Sequence, residues 1–518
     1  MNNIKRALVS VWDKDGIVEL VRFLIDNKIE VISTGGTKKI LEENNLSVTS
    51  VKTLTNQNEI MNGRVKTLHP NLFGGILADR NNSNHVNDLN NINADPIDLV
   101  IINLYPFKTE AIDKKLDLEK SIEFIDIGGP SMLRASAKNY KYVIPLCKPS
   151  QYSTFVKRYK ENNGIFSNEE RIEYAKIVFN QTMNYDYLIN KYFIDSQSDE
   201  VNLMPDNLIL NMSKKNDLRY GENPHQKSAY YTPSNEDNIW EKIQGKKLSY
   251  NNYFDMESAI SIVYDFDQLC CAIVKHSNPC GFGLGKNNME AYLNAVSTDP
   301  VSYFGGIIAF NNEVDDKVAA LMSEVFLECI IAPSFSGKAI SILSKKKNLR
   351  LIKLNKENFQ NRSNRLIVKS VFNGFLYQNK DMMLKKVADC DIVTKIKPTK
   401  EQMSAVLIGW KIVKSVKSNA IVITNNKKTL GVGAGQMSRI DSLKNAIRKS
   451  NENDLNLNGS IMASDAFFPF SDSLELAAKN GIVGIIQPGG SIRDADIVDV
   501  ANKLNMFMIF TGERHFIH

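Results

Sequence analysis

The strongest constraint on the fold is the alternation of short apolar segments with amphipathic segments along the first part of the chain. Residues 6–11 (RALVSV) and 30–33 (EVIS) have the apolar character of buried strands. Between them, residues 15–28 (DGIVELVRFLIDNK) carry apolar side chains at helical spacing. Further apolar segments occur at residues 98–107 (DLVIINLYPF) and 142–147 (YVIPLC). Strands that alternate with helices form parallel sheets covered on both faces, so the pattern predicts a parallel α/β domain.

The alternation continues after a polar interval that we interpret as a domain boundary. Residues 169–193 have the pattern of a long helix, and residues 194–207 are polar. We therefore expect a first domain over residues 1–198 and a second over residues 199–518, and the second is expected to contain two similar α/β lobes divided near residues 365–400. Its predicted strands are residues 270–276, 305–310, 328–333, 420–424, 461–470, 481–489 and 506–510.

Composition excludes several classes of protein. The chain has 518 residues and a net charge of +6, which suits small anionic substrates and is too mild for a nucleic-acid-binding surface. It has no run of about 18 apolar residues, which a membrane span requires, and we expect no secretory signal. Six scattered cysteines argue against a disulfide framework and fit a cytoplasmic enzyme. They are Cys147, Cys270, Cys271, Cys280, Cys329 and Cys390.

Two glycine-containing or basic motifs follow strands in the first domain. In residues 33–37 (STGGT), the glycines are expected to adopt positive φ and to direct backbone N–H groups at an anion, although a tight strand–helix turn explains them equally well. Residues 63–70 (GRVKTLHP) place Arg64, Lys66 and His69 close together. This segment is either a binding loop or a solvated basic loop.

Residues 126–139 (DIGGPSMLRASAKN) are the most informative motif of the first domain. Asp126 is expected at a strand end, two glycines follow it, and a helix then carries Arg134 and Lys138 four residues apart on one face. This arrangement favours a phosphate site with acid–base groups over a merely capped helix. Residues 103–107 (NLYPF) also follow a strand, at the sheet edge where α/β proteins bind ligands.

The segment at residues 274–283 (VKHSNPCGFG) has three interpretations. A zinc site is disfavoured because Pro279-Cys280 lacks the second cysteine and the H-x-E element of a deaminase site. A structural histidine is the default interpretation for His276. An acid–base pair requires Lys275 and His276 to converge, which the Asn-Pro-Cys-Gly turn signal would permit.

These motifs together closely resemble the family of bifunctional purine-biosynthesis enzymes that join AICAR transformylase to IMP cyclohydrolase. The first-domain motifs resemble the cyclohydrolase. The transformylase resemblance covers the rest of the chain in order, through residues 218–231, 274–281, 299–311, 418–423, 431–439, 464–473, 488–496 and 513–518. The resemblance implies a methylglyoxal-synthase-like parallel-sheet domain, followed by two cytidine-deaminase-like α/β lobes without zinc.

The resemblance implies that the first domain closes the purine ring of formyl-AICAR to give IMP. Lys138 would accept the proton, with Lys66, Tyr105 and Asp126 around the reacting atoms. The implied substrate-binding residues are Trp12, Asp13, Lys14, Ser33, Thr34, Gly35, Gly36, Thr37, Arg64, Thr67, Asn103 and Gly128.

The resemblance also implies that the second domain transfers a formyl group from 10-formyltetrahydrofolate, its co-substrate, to AICAR. His276 would be the base, and Lys275 and Asn419 would bind the formyl group and its oxyanion. The implied binding residues are Arg219, Tyr220, Phe304, Gly305, Arg439 (toward folate), Phe467, Asp472, Ser491 and Arg514. In residues 431–439 (GVGAGQMSR), Gln436 breaks the dinucleotide fingerprint, so we expect a glycine turn that a flat ligand approaches closely.

No metal or bound prosthetic group is expected. The family implies a homodimer whose transformylase sites use both chains, so that His276 and Asn419 would meet only across the interface. An alternative is that only one domain is active and the other is retained as a dimerisation scaffold. The presence of Lys66, Asp126, Lys138, Lys275 and His276 argues against that alternative.

Overall fold

The chain forms two compact units, Met1–Asn211 and Met212–His518, which are described separately. The computed structural model describes residues 4–196, 204–234, 238–360, 366–382 and 384–518. The expected domain boundary at residues 198 and 199 lies outside these described residues.

The first unit is built on a five-stranded parallel sheet, as the alternation of segments predicts. Its strands are β1 (Arg6–Val11), β2 (Glu30–Ser33), β3 (Thr49–Ser50), β4 (Leu99–Asn103) and β5 (Ile144–Leu146). Their order across the sheet is β3-β2-β1-β4-β5, and every neighbouring pair is parallel. All five residues of β4 are buried, because helices cover both faces of the sheet.

Helices pack on the two faces of this sheet in separate hydrophobic cores. They are α1 (Ile17–Asp26), α2 (Gly35–Glu43), α3 (Val51–Thr55), α4 (Pro70–Leu77), α5 (Ser83–Asn91), α6 (Leu118–Ile122), α7 (Gly128–Lys138), α8 (Tyr152–Glu161) and α9 (Asn168–Ser196). Leu20 and Leu24 of α1 join one core, and Met132 and Leu133 of α7 join the other. His69 caps α4, since its Nδ1 accepts a hydrogen bond from the Asn71 N–H at 3.2 Å.

The expectation of positive φ at the glycines of the first binding motif is wrong. Gly35 and Gly36 have ordinary helical conformations in the first turn of α2. The glycines that begin α7 serve close packing. A Cβ at Gly128 would lie 2.5 Å from Thr67 Oγ1, so only glycine allows this approach.

The second unit contains two six-stranded mixed sheets and two separate hairpins. Its strands are β6 (Met212–Asp217), β7 (Ala229–Pro233), β8 (Glu241–Gln244), β9 (Cys270–Lys275), β10 (Asn278–Leu284), β11 (Ile307–Phe310), β12 (Cys329–Ala332), β13 (Arg350–Lys353), β14 (Leu366–Val371), β15 (Gly374–Asn379), β16 (Asp391–Ile392), β17 (Ile421–Thr424), β18 (Thr429–Gly433), β19 (Ile461–Ser464), β20 (Gly484–Gln487) and β21 (Phe507–Phe510). The sheet orders are β10-β9-β11-β12-β13-β8 and β18-β17-β19-β20-β21-β16, with the same strand directions. The two lobes built on these sheets therefore share one topology.

Two long helices join the two lobes into one body. The helices of this unit are α10 (Tyr250–Tyr264), α11 (Asn288–Val296), α12 (Asp316–Ser323), α13 (Gly337–Leu343), α14 (Lys356–Gln360), α15 (Lys400–Val413), α16 (Arg439–Glu452), α17 (Asp472–Lys479) and α18 (Asp494–Lys503). Buried residues of α10 and α15 share one hydrophobic core with strands from both sheets. This shared core fixes the position of one lobe relative to the other.

Three local predictions in this unit need correction. The Asn-Pro-Cys-Gly segment is the start of β10, and the turn before it consists of His276 and Ser277. The strand predicted over residues 461–470 ends at Ser464. The glycines at 431 and 433 lie within β18 and allow α16 to pack closely, since a Cβ at Gly433 would lie 1.8 Å from the Ser442 carbonyl oxygen.

Candidate functional site

A cavity of about 730 Å³ opens at the carboxyl end of the parallel sheet in the first unit. Most of the predicted residues of this unit line it: Trp12, Lys14, Thr34, Gly36, Thr37, Arg64, Lys66, Thr67, Asn103, Tyr105, Asp126 and Gly128. The residues that follow β1, β2 and β4 converge because the carboxyl ends of neighbouring parallel strands meet at one edge, and the segments around Lys66 and Asp126 reach the cavity from connections between helices.

One end of this cavity has the features of an anion site. The first turn of α2 presents backbone N–H groups, and Lys14 donates to the carbonyl of Val11 and lies 3.5 Å from Thr37 Oγ1. Burial lowers the pKa of Lys14, the carboxylate of Asp13 opposes this shift, and the charge of Lys66 adds to it. Ser33 is buried, where its hydroxyl donates to the Val9 carbonyl at 3.1 Å, so it supports the turn from behind.

Asn103 shapes the loop that carries Trp12 and Asp13. Its Oδ1 accepts hydrogen bonds from the N–H groups of Trp12 at 2.5 Å and Asp13 at 2.9 Å. Its Nδ2 donates to the Asp13 carbonyl at 2.9 Å. The Trp12 ring lies 4.9 Å from the Tyr105 ring and remains 42% exposed, so it is available to a flat substrate.

Three groups able to transfer protons also line the cavity. Lys66 Nζ donates a hydrogen bond to the Tyr105 hydroxyl at 3.2 Å. Asp126 Oδ1 accepts from the Gly129 N–H at 2.8 Å. Burial raises the pKa of Asp126, while the N–H groups of Gly129 and Tyr105 and the charge of Lys66 oppose the shift. A carboxyl with a raised pKa beside an amine and a phenol can support acid–base chemistry.

Two predicted residues of the first unit have other surroundings. Arg64 lines the cavity but is exposed and forms an ion pair with Glu123. Lys138 is the last residue of α7 and its side chain is exposed. Helical rise places it about 15 Å from Gly128 at the start of the helix. The structure therefore does not bring Lys138 into this cavity.

A second cavity, of about 310 Å³, lies between the two lobes of the second unit. Lys275, His276 and Asn278 line it from the first lobe, and Gln436 and Lys449 line it from the second. His276 and Ser277 form a two-residue hairpin turn with φ of 54° and 61°. Paired positive φ values are the signature of a turn that matches the twist of a hairpin, and histidine tolerates this conformation better than most residues.

Lys275 is linked to the predicted pocket residues Phe304 and Gly305. Its Nζ donates to the Phe304 carbonyl at 3.0 Å. The Phe304 ring packs 5.4 Å from the Phe326 ring, and Gly305, at φ 71°, donates its N–H to the Phe326 carbonyl at 2.8 Å. These residues form a connected wall near the His276 turn.

Asn419 and Arg439 form a network that the sequence does not predict. Asn419 Nδ2 donates to the Gln436 carbonyl at 2.9 Å. Arg439 Nη2 donates to Asn419 Oδ1 and to buried Asp465 Oδ1, each at 3.0 Å, and Nη1 donates to the Phe467 carbonyl at 3.0 Å. The Arg439 side chain is only 10% exposed, so these contacts make it a support for Asn419.

Of the predicted residues of the second unit, only Lys275 and His276 line this cavity. The others do not: Arg219, Tyr220, Phe304, Gly305, Asn419, Arg439, Phe467, Asp472, Ser491 and Arg514. The guanidinium of Arg219 lies over the Tyr220 ring at 5.3 Å, and that of Arg514 lies over the Phe516 ring at 4.4 Å. Conversely, the cavity is lined by Asn278, Asp299 and Lys449, which the sequence analysis misses. Lys449 forms an ion pair with buried Asp299 and donates to Ser302 Oγ at 3.2 Å.

The cysteines are free thiols. Burial raises the pKa of Cys280 to about 12 and that of Cys147 to about 11, so neither is poised as a nucleophile. Across the part of the chain that the structure describes, no three His, Cys, Asp or Glu side chains are grouped as a metal site requires. None of the described helices combines the length and apolar character needed to cross a membrane.

Fold and cavities define a class of protein: a two-unit α/β enzyme with acid–base groups in two separate cavities. Residues 136–449 match the AICARFT/IMPCHase bienzyme family, and residues 16–131 match the MGS-like domain. The bifunctional purine biosynthesis protein PurH of Bacillus cereus (strain B4264) is 48% identical over 518 residues, which cover 99% of this chain and 100% of that protein. The PurH of Bacillus anthracis (strain A0248) matches to the same extent.

The chain belongs to the AICARFT/IMPCHase bienzyme family. The predicted family and fold class are thereby confirmed, with a methylglyoxal-synthase-like parallel-sheet domain followed by paired α/β lobes. A solved structure, the crystal structure of ForH, is 30% identical, with a TM-score of 0.33, and its alignment covers 37% of this chain and 99% of that chain.

Proposed function

We propose that this chain catalyses the two reactions of its family, formyl transfer to AICAR and ring closure of formyl-AICAR to IMP. The co-substrate of the first reaction is 10-formyltetrahydrofolate. The observation that carries the proposal is that acid–base residues of the two family motifs line two separate cavities, one in each unit.

In formyl transfer, the amine of AICAR forms a bond to the formyl carbon, and the bond from that carbon to N10 of the folate breaks. His276 takes the proton that the amine loses and returns it to N10, so that tetrahydrofolate leaves neutral at that atom. Lys275 and Asn419 stabilise the charge on the formyl oxygen during attack. Support comes from the exposed His276 turn and from the hydrogen bonds that hold Lys275 and Asn419 near the interlobe cavity.

In ring closure, the carboxamide nitrogen loses one proton and attacks the formyl carbon. The formamide nitrogen loses a second proton as its bond to that carbon becomes double, and the formyl oxygen takes up two protons and leaves as water. The hydrogen-bonded pair of Lys66 and Tyr105 and the partly buried Asp126 supply three groups for these proton transfers. The phosphate binds at the first turn of α2 beside Lys14. The family role of Lys138 as the proton acceptor stays a proposal, and the geometry favours Lys66 in its place.

Two variants test whether each cavity catalyses only one of the two reactions. AICAR and 10-formyltetrahydrofolate are supplied together in one spectrophotometric assay, and formyl-AICAR alone is supplied in a second. His276→Ala is expected to abolish formyl transfer and leave ring closure unchanged, and Lys66→Met is expected to do the reverse. Loss of both reactions in either variant would contradict the assignment of two independent sites.

Lys138→Met, compared with Lys66→Met, decides which lysine accepts the carboxamide proton. We expect the Lys66 variant to lose ring closure by about 10²–10⁴-fold and the Lys138 variant to retain most of its rate. The opposite order would restore Lys138 as the acceptor.

We further propose that the enzyme is a cytoplasmic homodimer. The hairpin of β14 and β15 supports dimerisation, because Phe372 is fully exposed at its turn and Phe375 and Leu376 are more than 60% exposed. Free thiols support a reducing compartment. Sedimentation velocity is expected to give a dimer for the wild type and a monomer for Phe372→Asp combined with Phe375→Asp. A fully active wild-type monomer would contradict this proposal.

A further inference from the structure

The His276 turn is held from two sides by side chains that have no assigned role. A non-glycine residue at positive φ costs on the order of 1 kcal/mol or more, and this turn contains two of them, at φ 54° and 61°. Such a conformation persists only where neighbouring groups hold it. Because His276 itself is exposed, its own packing does not fix the imidazole.

Asp255, on α10 of the first lobe, holds one side of the turn. Its Oδ1 accepts a hydrogen bond from the Ser277 N–H at 2.6 Å and lies 3.4 Å from the Ser277 hydroxyl. Burial raises the pKa of Asp255, and the hydrogen bond from Ser277 and the proximity of His276 oppose that shift. The Asp255 carboxylate therefore holds the backbone of the turn through a short hydrogen bond.

Asn278 holds the other side and connects the turn to the second lobe. Its Nδ2 donates to the His276 carbonyl at 3.2 Å, and its Oδ1 accepts from the Lys417 N–H at 2.9 Å. Lys417 is itself fixed, since its carbonyl accepts from the Gly435 N–H at 2.8 Å. Two residues further on, Asn419 is fixed through its N–H to the Gln436 carbonyl at 3.2 Å. One amide side chain therefore bridges the His276 turn and the Asn419 segment within a single chain, which departs from the expectation that the two meet only across a dimer interface.

We propose that Asn278 and Asp255 are positioning residues for formyl transfer: they set the His276 turn at a fixed distance from the Asn419 segment. The inference rests on the proposed role of His276 as the base. A misplacement of about 1 Å between reacting groups costs on the order of 10²-fold in rate. Neither side chain has to touch the substrate to have this effect.

Four variants separate the contributions. Asn278→Ala removes both hydrogen bonds, whereas Asn278→Asp keeps the acceptor for Lys417 and loses the donor to His276. Asp255→Ala removes the acceptor for the Ser277 N–H, whereas Asp255→Asn keeps one oxygen that can accept this hydrogen bond. We expect both alanine variants to lower kcat for formyl transfer by about 10–100-fold, with KM for AICAR changed less than about twofold. The conservative variants are expected to recover part of kcat.

Asn425→Ala is the matched control. Asn425 lies in the equivalent hairpin turn of the second lobe, between β17 and β18, where its Oδ1 accepts from the N–H groups of Lys427 and Lys428 at 2.9 Å each. It loses two comparable hydrogen bonds at the far end of β17 from Asn419. We expect Asn425→Ala to lower thermal stability about as much as Asn278→Ala does, and to leave kcat for formyl transfer unchanged. Ring closure of supplied formyl-AICAR by every variant shows that the chain has folded.

The outcomes distinguish this inference from the proposed function. Retention of formyl transfer by His276→Ala overturns the role of His276 and this inference with it. Loss of transfer in His276→Ala together with a wild-type kcat in Asn278→Ala and Asp255→Ala overturns only the positioning role. An effect on KM alone, or an equal fall in kcat in Asn425→Ala, also overturns it, because those results indicate substrate binding or general stability.

Discussion

The sharpest test of the ring-closure site is a single added methyl group at Gly129, the second residue of α7. A Cβ there would lie 2.4 Å from Asp126 Oδ2 and 3.0 Å from Leu104 Cδ2, where ordinary contacts begin at 3.4 Å. Leu104 blocks movement to the other side, so the Asp126 carboxylate has to move by about 1 Å. The Gly129 N–H is also a hydrogen-bond donor to Asp126, at 2.8 Å.

The change in the free energy of unfolding of Gly129→Ala follows from two opposing contributions. Overpacking costs roughly 1–3 kcal/mol, and replacing glycine by alanine within a helix returns about 1 kcal/mol. We therefore expect Gly129→Ala to lower the free energy of unfolding by only about 0–2 kcal/mol. A 1 Å displacement of a catalytic group costs on the order of 10²-fold, so ring closure should fall far more than stability does.

The assay is the rate of IMP formation from supplied formyl-AICAR, with thermal unfolding and formyl transfer measured in parallel. Gly337→Ala is the control, since Gly337 begins α13 and a Cβ there meets no atom within 4 Å. It should leave both activities unchanged. A wild-type rate of ring closure in Gly129→Ala would refute the claim that the position of Asp126 governs this reaction.

Three further predictions concern charged and hydrogen-bonded groups. Burial raises the pKa of Asp126 above its ordinary value of 3.8. Between that value and the raised pKa the native state binds more protons than the unfolded state, so the wild type loses stability as pH rises. Denaturant titrations from pH 3 to 8 should therefore show Asp126→Asn gaining stability relative to wild type as pH rises through this range. Tyr105→Phe leaves Lys66 without its hydroxyl partner and should lower kcat for ring closure by about 10–100-fold, measured with supplied formyl-AICAR. Burial alone would raise the pKa of Asp299, but the hydrogen bond from Lys449 lowers it overall. Lys449→Met should therefore lower the free energy of unfolding by about 1–3 kcal/mol near neutral pH. The loss should become smaller as pH falls below 3.8, because the Asp299 carboxylate is then protonated.

The fold of the first unit could largely be predicted from the sequence because four of its five strands carry an apolar signal, and only the two-residue β3 is missed. The apolar segments at 6–11 and 30–33 coincide with β1 and β2, and the helical spacing between them coincides with α1. In the second unit, β10 is missed because its first residues, Asn-Pro-Cys-Gly, are typical of turns. As an edge strand of its sheet, β10 tolerates Pro279, and the turn instead uses two residues without a glycine signature.

The candidate site of the first unit was predictable from family motifs that are distant in sequence and meet in one cavity. Only Tyr105 follows a strand, whereas Lys66 precedes α4 and Asp126 lies between α6 and α7, so the strand-end position expected for Asp126 is wrong. Lys138 belongs to the same motif as Asp126, yet a helix of 11 residues carries it away from the cavity. Arg439 appears as a free cation in the sequence, whereas its guanidinium is occupied by Asn419, Asp465 and Phe467.

The position of the interlobe cavity depends on the relative direction of the two lobes, which neither lobe's sequence reveals. Two hydrogen bonds show that direction: Lys417 N–H to Asn278 Oδ1 at one end of β10, and Leu284 N–H to the Lys427 carbonyl at the other. Thus β10 contacts β18 and runs opposite to it, in the same direction as β17, and β9 runs opposite to its counterpart β17. Had the lobes packed in the same sense, their two equivalent hairpin turns would lie at one end. Because they are inverted, the His276 turn instead meets the start of β17, and a duplicated topology yields one cavity with different residues on its two sides.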